Sequence, residues 1–228
     1  MRFATKPSRR ETLWGGIYLI LYMSVLPFVV PFVLVHLAPQ LDEAQINVVF
    51  LGLNFDATTV IFRKFLLRSL ADALRTPSLT LWYAILGYLG NMMLSNLVAV
   101  CTLRLYPEFF SVNDASIQSI AAQNMPLMFI CTVILAPITE ELLFRGLIFR
   151  GLYDRSPLAA HGLTMVLFSL IHVTGYVGMY DWKLLFFCFL QYLPAGYCLN
   201  FAYRYSGAIA APILIHMMTN LMAFSAMR

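Results

Sequence analysis

The sequence predicts an all-α fold, a polytopic transmembrane helical bundle of about seven spans. Three observations predict it. The 228 residues are 61% hydrophobic and only 11% charged, whereas a soluble domain carries about 25% charged residues and needs them to face water. The apolar residues fall in long runs, each near the ~20 residues that a helix needs to cross a bilayer. The basic residues gather at the ends of those runs, mostly on one side. The +4 net charge therefore reads as membrane orientation, and no nucleic-acid partner is expected.

The runs follow in order. The first, 14–37, comes after Lys6, Arg9 and Arg10. Its apolar stretch is too long for a secretory signal and no small-residue cleavage site follows convincingly, so it is expected to stay as an anchor. The second, 44–62, is interrupted by Asn47, Asn54 and Asp56, and Asp56 has no evident role. The third, 79–103, places Gly87, Asn91, Ser95 and Ala99 four residues apart, a small-residue stripe suited to helix packing. Residues 104–124 form the one long connection, polar enough for a loop or for a helix on the outer surface. Four further runs, 125–153, 157–174, 184–203 and 207–227, have shorter links. Cys101, Cys131, Cys188 and Cys198 all lie within apolar segments without CxxC spacing, so they read as small core residues, not as disulfides or zinc ligands.

With the N-terminus inside, the cytoplasmic ends collect eleven Lys and Arg, among them Arg2, Arg63, Lys64, Arg68, Arg75, Arg150, Arg155 and Arg204. The outside receives three, Arg104, Lys183 and Arg228, together with Asp42, Glu43, Glu108, Asp114 and Asp181. That bias predicts a multi-pass protein of the cell membrane with a cytoplasmic N-terminus.

Ionisable residues inside spans are costly and mark function by default. The fourth span carries Glu140, Glu141 and Arg145; the fifth carries Phe168 and His172; the seventh carries His216 and Asn220. Glu141 and Arg145 are four apart and can pair. Glu140 points about 100° away from Glu141 and lacks a partner on its own helix. Phe168 lies one turn from His172, and His216 and Asn220 share a helix face. At ~1.5 Å per residue, Glu140, His172 and Asn220 lie roughly 20 Å from the cytoplasmic ends of their spans, and His216 roughly 14 Å. One carboxylate, two imidazoles and a carboxamide thus fall in a shared layer.

The motifs EExxxR (Glu140, Glu141, Arg145), FxxxH (Phe168, His172) and HxxxN (His216, Asn220), in this order on successive membrane helices, resemble the CPBP family. That family comprises CAAX-prenyl endopeptidases of the Rce1 type and the bacteriocin-processing or self-immunity (Abi) proteins. The resemblance covers roughly residues 125–225. It implies one integrated membrane domain, with three N-terminal spans and an outer loop over 1–124 and a catalytic core of about four spans over 125–228. It also implies a glutamate-type intramembrane endopeptidase without a cofactor, acting on a membrane-associated peptide or protein in contact with membrane lipid. Glu140 would activate a water that His172 helps to hold. His216 and Asn220 would stabilise the oxyanion, while Glu141, Arg145 and Phe168 support the site.

Two alternatives keep the same residues. Zinc could be held by His172, His216 and Glu140, as in other His₂Glu sites, although no HExxH is present. A non-catalytic immunity protein could use the same pocket to hold a peptide. A transporter is disfavoured, since repeated halves with broken helices are lacking. For the Glu141–Arg145 pair, a structural ion pair and direct catalysis stay equally open. Substrate identity, the face that admits it and the oligomeric state are not read from the sequence.

Overall fold

A computed structural model describes Phe3 and residues 5–226. Arg2 and Arg228 of the charge count, and the last residue of the seventh run, lie outside the described residues. Among the described residues ten longer helical elements follow one another, with a short 3-10 turn at Thr174–Tyr176, and no β-strand forms. They are α1 (Arg9–Ser24), α2 (Leu26–Leu37), α3 (Glu43–Ile61), α4 (Arg63–Arg75), α5 (Pro77–Leu105) and α6 (Val112–Gln123), then α7 (Met125–Tyr153), α8 (Pro157–Ile171), α9 (Trp182–Ser206) and α10 (Ala210–Ser225). Their starts are set by local chemistry. Ser8 and Asp42 form capping boxes with Glu11 and Gln45, and Asn124, Ser156 and Asp181 each accept a hydrogen bond from a first-turn N–H.

Five helices among the described residues (α3, α5, α7, the α8 region and α9) are long and apolar enough to cross a membrane. The first run does not form one straight span. It breaks at Val25 into α1 and α2, which meet at 63°. Pro27 explains the break, because it has no N–H to continue the ladder and its ring crowds the preceding carbonyl. Counted together the pair makes a sixth span. The seventh run gives α10, an apolar helix of 16 residues that is short for a full crossing and packs against α5, α7 and α9. It starts late because Gly207, at φ 75°, ends α9 in a left-handed turn.

α4 is an element that the basic connection after the second run concealed. Phe65, Ser69 and Ala73, four apart, are its buried stripe, and Ser69 Oγ accepts the Ile209 N–H at 2.9 Å just before α10. Glu11 of α1 accepts the Phe65 N–H at 2.7 Å, a helix-start donor that the helix itself leaves unpaired.

The core runs along α7. Every residue from Leu142 to Phe149 is buried, including Arg145, whose charge is paired with Glu141. The third-span stripe is where α5 meets its neighbours. A Cβ on Gly87 would lie 2.5 Å from Ile215 and 3.1 Å from Ala202, so α5 approaches α9 and α10 closely there.

Candidate active site

α7 is not a uniform helix. π-helical turns at Ile130–Leu135 and Leu142–Phe149 flank a regular α-helical turn, Ala136–Glu141. Such widened turns are rare and recur at functional sites. The regular turn carries both glutamates, so they diverge as α-helical geometry requires.

Glu141 turns into the core and is fully buried. Its Oε1 accepts from Arg145 Nη1 at 3.0 Å and lies 2.9 Å from His216 Nδ1 on α10. Arg145, also fully buried, donates to Asn200 Oδ1 and to the Gly196 carbonyl, both at 3.3 Å. Its guanidinium lies 4.4 Å from the centre of the Phe168 ring. A buried ion pair is tolerated only when its remaining donors are satisfied, and here α9 supplies the acceptors. A Cβ on Gly196 would come 3.0 Å from the Met165 backbone, so the close approach of α8 and α9 at this level needs a glycine.

Glu140 turns the other way. It is 7% exposed, and its Oε2 has no hydrogen-bond partner. His172 Nε2 lies 3.9 Å from that oxygen, beyond hydrogen-bonding distance. His172 sits at the C-cap of α8, and its Nδ1 is 2.8 Å from the Phe168 carbonyl. A carbonyl only accepts, so Nδ1 carries the proton and in the neutral ring Nε2 is left as an acceptor. Two rings fix the imidazole: Phe168 at 4.9 Å and, stacked at 4.0 Å and 19°, Tyr192 of α9.

Asn220, one turn beyond His216, donates from Nδ2 to the Thr132 carbonyl at 2.7 Å. That carbonyl belongs to the first π-helical turn. Glu140, Phe168, His172, His216 and Asn220 all line one cavity of about 540 Å³, with Asn91 and Ser95 of the α5 stripe and residues of α6 completing its wall. Asp56 is exposed on α3 and does not line it.

The structure thus brings the predicted site residues to one place in two layers. Glu140 and His172 face the cavity, and Glu141 and Arg145 lie behind with Phe168 between Arg145 and the two imidazoles. His216 bridges the layers. Among the described residues no group of three or more His, Cys, Asp and Glu side chains is arranged to hold a metal ion. Of the zinc set considered above, His216 directs Nδ1 to Glu141, which leaves its Nε2 as the other ring nitrogen, and His172 Nε2 lies 3.9 Å from Glu140 Oε2. Sequence reasoning overlooked Tyr192, Gly196 and Asn200. They recur every four residues on α9, the same signal that was legible in the third span.

A family model described as Type II CAAX prenyl endopeptidase Rce1-like matches residues 122–222. Residues 122–222 are thus similar to an Rce1-like domain. A relative in Bacillus subtilis (strain 168), named "Putative membrane peptidase YdiL", is 35% identical over 99 residues. That match spans 43% of this chain and 36% of the relative. No solved structure matches the chain. The matched segment contains every residue of the two-layer site, from Glu140 to Asn220, whereas α1–α5 lie outside it.

Proposed function

We propose that this protein is an intramembrane endopeptidase that hydrolyses a peptide bond of a membrane-associated peptide or protein, with Glu140 as the general base. The observation that carries the reading is the Glu140–His172 pair. A buried carboxylate oxygen without a partner faces an imidazole acceptor 3.9 Å away, at the wall of a cavity. A water placed ~2.8 Å from both atoms would donate one hydrogen to each and turn a lone pair outward. The similarity of residues 122–222 to the Rce1-like family, and of the chain to a Bacillus subtilis protein named as a putative membrane peptidase, supports the same chemistry.

Glu140 takes a proton from the water as its oxygen attacks the carbonyl carbon, giving a tetrahedral oxyanion. The protonated Glu140 then passes that proton to the departing nitrogen as the C–N bond breaks. His216 and Asn220 serve the oxyanion. With Nδ1 on Glu141, His216 offers Nε2–H in its imidazolium form, whose charge Glu141 faces; Asn220 has a second amide hydrogen beyond the one given to Thr132. Glu141 and Arg145 orient His216 and keep α7, α9 and α10 in register. Residues 125–228 form the catalytic core in this reading, and the bundle sits in the cell membrane with its N-terminus cytoplasmic.

The test is a proteomic comparison of membranes from cells carrying wild-type and Glu140→Gln protein. One peptide that accumulates uncut only with Glu140→Gln is expected. Identical peptide profiles, with both proteins present at equal level, would favour the peptide-binding alternative, which tolerates glutamine at that position.

A further inference from the structure

The cavity that reaches Glu140 extends to α6, and its lining has a charge bias that hydrolysis alone does not require. Among the described residues that line it, two are carboxylates, Glu140 at depth and Asp114 on α6, and none is Lys or Arg. Arg145 is committed to Glu141, and Lys183 of α9 stands over the Tyr106 ring at 4.2 Å. The other polar groups of the wall are imidazoles, hydroxyls and carboxamides such as Asn91, Ser95 and Gln191. A cleft lined by one sign of charge and walled by apolar groups concentrates counter-charged ligands.

Asp114 is held in place rather than left to swing. It lies in the first turn of α6, with its backbone N–H given to the Ser111 hydroxyl at 3.4 Å. Its Oδ1 accepts from the Tyr192 hydroxyl at 3.2 Å, and the neighbouring Asn113 Nδ2 donates to the same hydroxyl at 3.0 Å. The Tyr192 ring in turn stacks on His172. One tyrosine therefore links the exposed Asp114 to the imidazole beside Glu140, and sets the carboxylate about one side chain away from the reacting centre.

The geometry points to Asp114 as the subsite for a cationic group of the substrate, a Lys or Arg side chain or a free α-amino group, with the scissile bond deeper at Glu140. A segment ending in a free carboxylate is disfavoured in this cavity, since it meets carboxylates and no counter-ion. The inference rests on the peptidase reading for the position of the cut bond, whereas the charge preference belongs to the cavity itself.

The experiment uses the full chain in zwitterionic nanodiscs and a set of apolar fluorescent peptides carrying Lys, Gln or Glu at each position in turn. Binding by anisotropy and cleavage are read in parallel. At the preferred position the Lys peptide binds about fivefold tighter than its Gln counterpart, the scale of an exposed ion pair, the Glu peptide binds weaker still, and the difference shrinks in high salt. Asp114→Asn, which keeps an acceptor for Tyr192, makes the Lys and Gln peptides equal. Asp114→Lys reverses the order in favour of Glu. Tyr192→Phe removes the hydroxyl but not the charge and retains the preference. Equal binding of the three peptides by wild type, or a preference that survives Asp114→Asn, overturns the inference. Charge-selective binding without cleavage upholds the subsite and refutes the peptidase reading. Cleavage without charge selection does the reverse.

Discussion

Arg145→Met tests whether the layer behind the catalytic pair is as tightly interlocked as its geometry implies. The guanidinium has no exposed surface and reaches Glu141, Asn200, the Gly196 carbonyl and the Phe168 ring at once. Methionine keeps part of the apolar stem and removes every donor. Removing one partner of a buried ion pair costs about 3–5 kcal/mol, because the other charge is left uncompensated. Asn200 and the Gly196 carbonyl each lose a partner at about 1 kcal/mol or more. These costs come from one side chain and do not simply add, so the expected total is about 4–6 kcal/mol. For a chain of this size that is a fall in Tm of roughly 10–20 °C. Glu141→Leu/Arg145→Met, which removes both charges, is expected to recover part of the loss although His216 then lacks its partner. The assay is thermal unfolding in detergent, with size-exclusion to confirm a monodisperse starting state. A Tm for Arg145→Met within about 3 °C of wild type, or a double variant no more stable than the single, would refute the reasoning.

Two further predictions concern the chemistry. Asn220→Ala lowers kcat about 10²–10³-fold with little change in KM if the amide serves the oxyanion. It also loses the bond to Thr132, which costs about 1 kcal/mol in unfolding experiments; a rise in KM at unchanged kcat would instead make Asn220 a substrate-binding residue. Activity is expected to survive dialysis against a strong zinc chelator, and loss on chelation with recovery on adding Zn²⁺ would instead establish metal activation of the water.

Much of the bundle was legible because lipid leaves little choice. A helix facing hydrocarbon must be largely apolar, so the runs stand out. The break at Val25 was masked because the apolar run continues through it, although Pro27 carried the signal. α4 was hidden for the opposite reason: Lys64, Arg68 and Arg75 dominate its composition, and the stripe of Phe65, Ser69 and Ala73 shows only when read at four-residue spacing. At the site, contacts within one helix followed from spacing alone, as for Glu141 with Arg145 and Phe168 with His172. Contacts between helices did not. Which glutamate His216 meets depends on how α7 and α10 are rotated against each other, and the π-helical turns of α7 alter that rotation in a way no propensity scale reveals. Tyr192 and Asn200 look like ordinary span residues until α9 is laid against α7 and α8.

The most direct measurement of the central claim is turnover by purified Glu140→Gln protein, set against wild type on the same peptide with thermal stability recorded for both. Glutamine is nearly isosteric with Glu140, whose Oε2 has no hydrogen-bond partner to lose, so the two Tm values are expected to agree closely. It cannot take the proton of a water, so cleavage is expected to fall by at least about 10²–10⁴-fold. Turnover retained at near wild-type rate by a folded Glu140→Gln protein would contradict the account.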